Sequence, residues 1–312
     1  MELVLHTFNG VLTIMLIIGV GFYIERKGWV SEEIVTFVSR IVNYVSLPTF
    51  MITSILGRFN REELLGMADG LTVPFVTMIA GYLVARLMAR FLVSNPKHRA
   101  IFTIGVGFSN TIFIGLPLCV ALFGDKAIPS IMLYYMANTF LFWTVGVHDL
   151  AMDNGKNIPL ISMQMVKSVF SPALLGFLVG VGMVLLNLNL PASIFRAFSI
   201  LGAMMTPLAM IFIGFGMSRN DWSKFKIDKE LVFAVIGRFV VCPFIVLAML
   251  PFMNLPPLMG RVFVIMSAMP AMANISIVSQ HYGGDYQYAA MQVAVTTVAA
   301  VFVLPVYMWL IH

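Results

Sequence analysis

The sequence predicts an all-α polytopic membrane protein with ten transmembrane helices arranged as two inverted five-helix repeats. Three observations carry this. Apolar residues make up 60% of the 312 and charged residues only 11%. Ten stretches are long and apolar enough to cross a bilayer, and one stretch in each half is interrupted by proline beside an asparagine. A soluble domain carries about 45–50% apolar and about 25% charged residues, so the solvent that meets this much apolar surface is lipid.

A helix crosses the hydrocarbon layer with about 20 residues. That length is met at residues 5–24, 34–55, 71–92, 100–123 and 129–150. After a polar break at 153–157 it is met again at 160–186, 194–217, 231–252, 258–281 and 286–311. The connections are short and hold no soluble domain. The first stretch reads as a span rather than a cleaved leader, because no basic region precedes it and Glu25-Arg26-Lys27 follows it.

Loop charge predicts orientation. One face carries Arg26, Lys27, Arg86, Arg90, Lys97, Arg99, Lys156, Arg219, Lys224, Lys226 and Lys229; the other holds Arg58, Arg61, Lys126, Arg196 and Arg261. The richer face is expected in the cytoplasm of a plasma (bacterial inner) membrane, with both termini outside. Arg40, Lys167 and Arg238 fall within spans. Snorkelling toward the interface suits Arg40 and Lys167. Arg238, the deepest, is either a substrate contact or another snorkelling side chain.

Folding the chain at the polar break sets residues 1–155 against 156–312. Five spans is an odd number, so the second half lies upside down relative to the first, as in many secondary transporters. Leu47-Pro48 in span 2 answers Thr206-Pro207 in span 7. The ending Phe123-Gly124-Asp125 of span 4 answers Tyr282-Gly283-Gly284-Asp285 of span 9.

Candidate site residues lie in spans 4 and 9. The first contains Ser109, Asn110, Thr111, Gly115 and Pro117; the second contains Pro270, Asn274 and Ser276. Proline removes a backbone donor and clashes with the preceding turn. In lipid, irregular backbone survives only where it is buried in protein or lines a cavity. Paired interruptions in the two halves therefore mark a binding site. The asparagine carboxamides offer donors and acceptors, and half-helix N-termini beside them suit an anion.

Other chemistries find little support. Net charge is only +5 and no basic stripe suggests nucleic acid. Cys119 and Cys242 have no metal or disulfide spacing. All carboxylates fall at span ends or in loops, so an intramembrane aspartyl protease or an Asp- or Glu-based proton relay has no carrier, and His-Glu-x-x-His is absent. His148 beside Asp149, and His281, read as interfacial. A sensor built on a transporter fold is not separable by motif.

The Ser-Asn-x-x-Phe-x-Gly-Leu-Pro run from Ser109 to Pro117 resembles that of the auxin efflux carrier family. So do Leu47-Pro48 and the stretch from Met269-Pro270 to Asp285. That family includes plant auxin carriers and bacterial malate and malonate permeases. The resemblance implies a fold like that of sodium/proton antiporters, with broken helices 4 and 9 crossing at the substrate. It implies a scaffold from helices 1, 2, 6 and 7 and a transport domain from helices 3–5 and 8–10. It also implies an elevator motion, a homodimer, and no enzymatic activity. Asn110, Pro117 and Pro270 become the crossover positions. The expected substrate is a small organic anion, a mono- or dicarboxylate or an auxin-like acid. No cofactor is expected, and coupling to protons, to sodium or to neither stays open.

Overall fold

The computed structural model describes residues 16–156, 170–219 and 228–311, together with 13, 159, 163 and 166. Lys167, Lys224 and Lys226, half of the predicted first span, and residues 160–169 of the sixth apart from 163 and 166 lie outside the described residues. Among the described residues the chain is helical throughout and forms no strand. Six helices are long and apolar enough to cross a membrane. These are α1 (Glu32–Arg58), α2 (Thr72–Leu92), α5 (Asp125–Asp153), α7 (Ala192–Arg219), α8 (Lys229–Phe252) and α11, whose span covers Tyr286–Tyr307. They fall on predicted spans 2, 3, 5, 7, 8 and 10.

Among the shorter helices are α3 (Pro96–Gly107), α4 (Thr111–Phe123), α6 (Pro172–Leu185), α9 (Pro257–Ser267) and α10 (Asn274–Tyr282). Predicted span 4 is thus α3 followed by α4, and predicted span 9 is α9 followed by α10.

The chain packs as two units. The first comprises Met1–Asp69, Leu116–Met132 and Phe170–Asn220; the second comprises Gly70–Gly115, Leu133–Val169 and Asp221–His312. Glycines set the packing of the first unit. A Cβ at Gly176 of α6 would sit 2.6 Å from the Pro48 Cα, and one at Gly202 of α7 would sit 2.8 Å from the Phe50 Cα. Backbone can approach α1 this closely only across small residues, which is how helices associate in lipid without a hydrophobic drive. The hydroxyls of Thr49 and Thr53 turn back onto the carbonyls of Val45 and Thr49, at 2.7 and 2.9 Å. Their polarity is spent within the helix. Arg219 bonds Glu25, at 2.6 Å, and Glu32, and Arg58 pairs with Asp125 at 2.7 Å.

Prolines shape the helices by a common device. Pro48, Pro117 and Pro243 each follow a π-helical turn, at Val42–Ser46, Thr111–Gly115 and Gly237–Val241. A widened turn absorbs the missing donor and the ring clash without ending the helix. In α7 the helix instead breaks at Met204, ahead of Pro207.

The second unit is built on α2, α3 and α8, whose Ala85, Ala89, Phe102, Val106, Ala234 and Cys242 form one buried cluster. His98 ties three helix starts together. Its ring contacts Glu230 and Asp285 at 3.2 Å each and stacks on Tyr288 with centroids 3.9 Å apart.

Candidate functional site

The backbone leaves the helical path twice in the second unit, and the two departures meet. After Gly107 the chain extends through Phe108, and after Ser267 it is irregular until Asn274. Ser109 and Ala271 pair as an antiparallel bridge. The Asn110 N–H donates to the Pro270 carbonyl at 2.8 Å, and the Met272 N–H donates to the Phe108 carbonyl at 3.2 Å. Each departure therefore partners the other. This is how unwound backbone survives away from water.

Side chains from other helices complete the pairing. The Asn138 carboxamide of α5 grips Ser109 from both sides: its Oδ1 accepts from the Ser109 N–H at 2.9 Å and its Nδ2 donates to the Ser109 carbonyl at 3.0 Å. The Thr296 hydroxyl of α11 accepts from the Ala271 N–H at 3.1 Å. The Ser109 hydroxyl donates to the Met266 carbonyl at 2.9 Å. Sequence reading missed Asn138 and Thr296. Their only signal is polarity within an apolar span, and the group each satisfies is remote in sequence.

Arg238 closes the arrangement. It sits in the π-turn ahead of Pro243 and is fully buried. Its Nε donates to the Met269 carbonyl at 2.7 Å and Nη1 to the Val106 carbonyl at 2.5 Å; Nη2 reaches the Ser109 hydroxyl and the Ser267 carbonyl. The snorkelling alternative for this residue is overturned. Four of its five donors are engaged, and all four bonds go to neutral oxygens. Val106 and Ser267 lie at the C-terminal ends of α3 and α9. A helix C-terminus carries about −0.5 of an elementary charge, so two of them balance one guanidinium. The Cys242 thiol adds a second donor to the Val106 carbonyl at 3.3 Å.

Of the nine candidate residues, Pro117 lies on the first unit's part of α4 and the other eight belong to the second unit. The main-chain pairing brings Ser109 and Asn110 to Pro270, and Arg238 joins them. Ser109 and Arg238 are consumed in holding the backbone. Asn110, Thr111 and Gly115 are buried; Asn274 and Ser276 are half-buried in the first turn of α10. Among the described residues, neither the Asn110 nor the Asn274 carboxamide makes a hydrogen bond. One expectation shifts. The break in span 4 lies at Phe108–Asn110, well before Pro117, whose local effect is the π-turn at Thr111–Gly115. In span 9, Pro270 lies within the irregular segment itself.

Comparison with known proteins is consistent along the whole chain. The profile of the family described as "Membrane transport protein" matches residues 6–308. An "Uncharacterized transporter" of Methanothermobacter thermautotrophicus is 25% identical over 304 residues, covering 95% of this chain and 96% of the relative. A second "Uncharacterized transporter", from Methanocaldococcus jannaschii, is 22% identical over 96% of this chain and 97% of its own length. A Rhizobium meliloti protein named "Putative malonate transporter" is 22% identical, over 98% of this chain and 92% of its own length.

Proposed function

Because the chain belongs to the membrane transport protein family, that of the auxin efflux carriers, we propose that it is a secondary carrier for a small organic anion held at the paired interruptions. The observation that carries this reading is the division of labour at the break. Arg238 occupies the C-terminal ends of α3 and α9. The N-terminal ends of α4 and α10 are left beside the Asn110 and Asn274 carboxamides, and the start of α10 carries no side-chain cap. Helix N-termini favour anions, and a carboxylate fits donors of this kind. A mono- or dicarboxylate of the malonate and malate class is the preferred substrate, with auxin-like weak acids as a further group. The relative named for malonate supports that class.

Half-helix C-termini and unwound carbonyls are where many carriers bind a coupling sodium ion. Here a guanidinium takes those carbonyls, so transport proceeds without sodium at this place. The division into two units supports an elevator motion. The unit holding α1, α6 and α7 acts as the scaffold through which two copies associate, and the unit holding the interruptions moves. The loop charges support an orientation with both termini outside, in keeping with a plasma membrane location.

Counterflow in proteoliposomes tests the reading. Vesicles loaded with unlabelled malonate should accumulate labelled malonate or malate, with sodium replaced by choline making no difference. Counterflow that requires sodium contradicts the role given to Arg238. No counterflow with malonate, malate, succinate or indole-3-acetate, from folded protein, overturns the carrier reading in favour of a sensor.

A further inference from the structure

At one end of the second unit, the last turns of α2, the first turns of α3 and the end of α5 surround a cavity of about 450 Å³. Three guanidinium groups line it, those of Arg86, Arg90 and Arg99, against the carboxylates of Asp149 and Asp153. Both carboxylates are committed. Asp149 accepts from the Tyr82 hydroxyl and from Arg86, each at 2.7 Å. Asp153 accepts from the Ala100 N–H at 3.1 Å. The arginines are less fully used. Arg99 gives its Nε to the Val93 carbonyl at 3.3 Å, and Arg90 makes no hydrogen bond or ion pair with a described residue. Among the described residues the terminal nitrogens of these two guanidinium groups have no acceptors, and both arginines line the cavity.

The wall of the cavity has a second character. Leu83 and Leu87 share a face of α2 with Arg86 and Arg90, three and four residues apart. They are 59% and 57% exposed. A helix face on which exposed leucines alternate with arginines, ending on Arg90, matches a ligand with an acyl chain and an acidic head. Guanidinium forks fit the tetrahedral oxygens of phosphate better than a point charge does.

We infer that this cavity binds a phosphate group, supplied by an anionic phospholipid whose chain lies along Leu83 and Leu87. The cavity lies at the start of α3, at the opposite end of that helix from the interruption at Phe108–Asn110, and its occupancy does not depend on what the chain carries.

Native mass spectrometry of the full chain tests this, with phosphatidylglycerol and phosphatidylcholine offered together and with inorganic phosphate and glycerol 3-phosphate as soluble competitors. The wild type should retain phosphatidylglycerol preferentially. That preference should fall about fivefold in Arg90→Gln and again in Arg90→Gln/Arg99→Gln, from the usual contribution of one interfacial arginine. Arg261→Gln, which removes an exposed arginine outside the cavity, should keep the wild-type preference. Arg90 holds no partner among the described residues, so its variant separates binding from folding. An unchanged preference in the double variant overturns the site, as does an equal loss in Arg261→Gln. Displacement of the lipid by inorganic phosphate at matched concentration supports a phosphate site and overturns the lipid as its source.

Discussion

Arg238→Met should unfold in detergent about 3–5 kcal/mol more easily than the wild type and should carry no substrate. Methionine fills a similar apolar volume and cannot donate. The Ser267 and Met269 carbonyls then lose the donors found for them, and the Val106 carbonyl keeps only the Cys242 thiol. Each buried carbonyl left without a partner costs about 1–3 kcal/mol. The dipole ends of α3 and α9 also lose their counter-charge. Arg238→Lys restores the charge and three donors but not the planar fork, so it should recover part of the stability and less of the transport. Thermal unfolding and counterflow measured on the same preparations check both statements. Wild-type unfolding and rate in Arg238→Met would mean that the guanidinium does not hold the break together.

Asn110→Ala should do the reverse, removing transport while leaving the protein folded. The bonds that Asn110 makes at the break are main-chain bonds, its N–H to the Pro270 carbonyl and its carbonyl from the Gly115 N–H at 3.0 Å. Alanine keeps both. The carboxamide has no partner among the described residues, so its deletion orphans nothing. A hydrogen bond to a charged group is worth about 1.5–3 kcal/mol, which corresponds to a loss of about ten- to a hundredfold in transport. Uptake at the wild-type rate would remove Asn110 from the site. The contrast between the two variants is informative in itself, since it separates the residue that builds the break from the residue left free beside it.

Hydropathy alone located the six long helices, because a lipid-facing helix must be apolar over its whole length. Proline and asparagine in spans 4 and 9 located the interrupted region. What sequence could not say was where the helices stop. Pro117 looked like the breaker, yet a π-turn at Thr111–Gly115 accommodates it, and the chain departs from helix at Phe108 instead. The stop depends on Asn138, Thr296 and Arg238 satisfying the freed backbone, and those residues lie between 25 and 132 positions from the groups they serve. Sequence left Arg238 open between substrate contact and snorkelling for the same reason: its acceptors sit at the ends of two other helices, remote in sequence. His98, joining Glu230 and Asp285, was equally invisible, since neither carboxylate is near it in sequence.

The central claim, that a small carboxylate occupies the N-terminal end of α10 beside the interruption, is tested most directly by thiol protection. Both native cysteines are buried, so a cysteine introduced by Ala273→Cys, half-buried immediately before Asn274, supplies the reporter. In transport-competent protein, saturating malonate should slow labelling of that cysteine by a small polar thiol reagent, while acetamide at the same concentration should not. Labelling at an unchanged rate under saturating malonate, in a variant that still exchanges malonate, would place the substrate elsewhere.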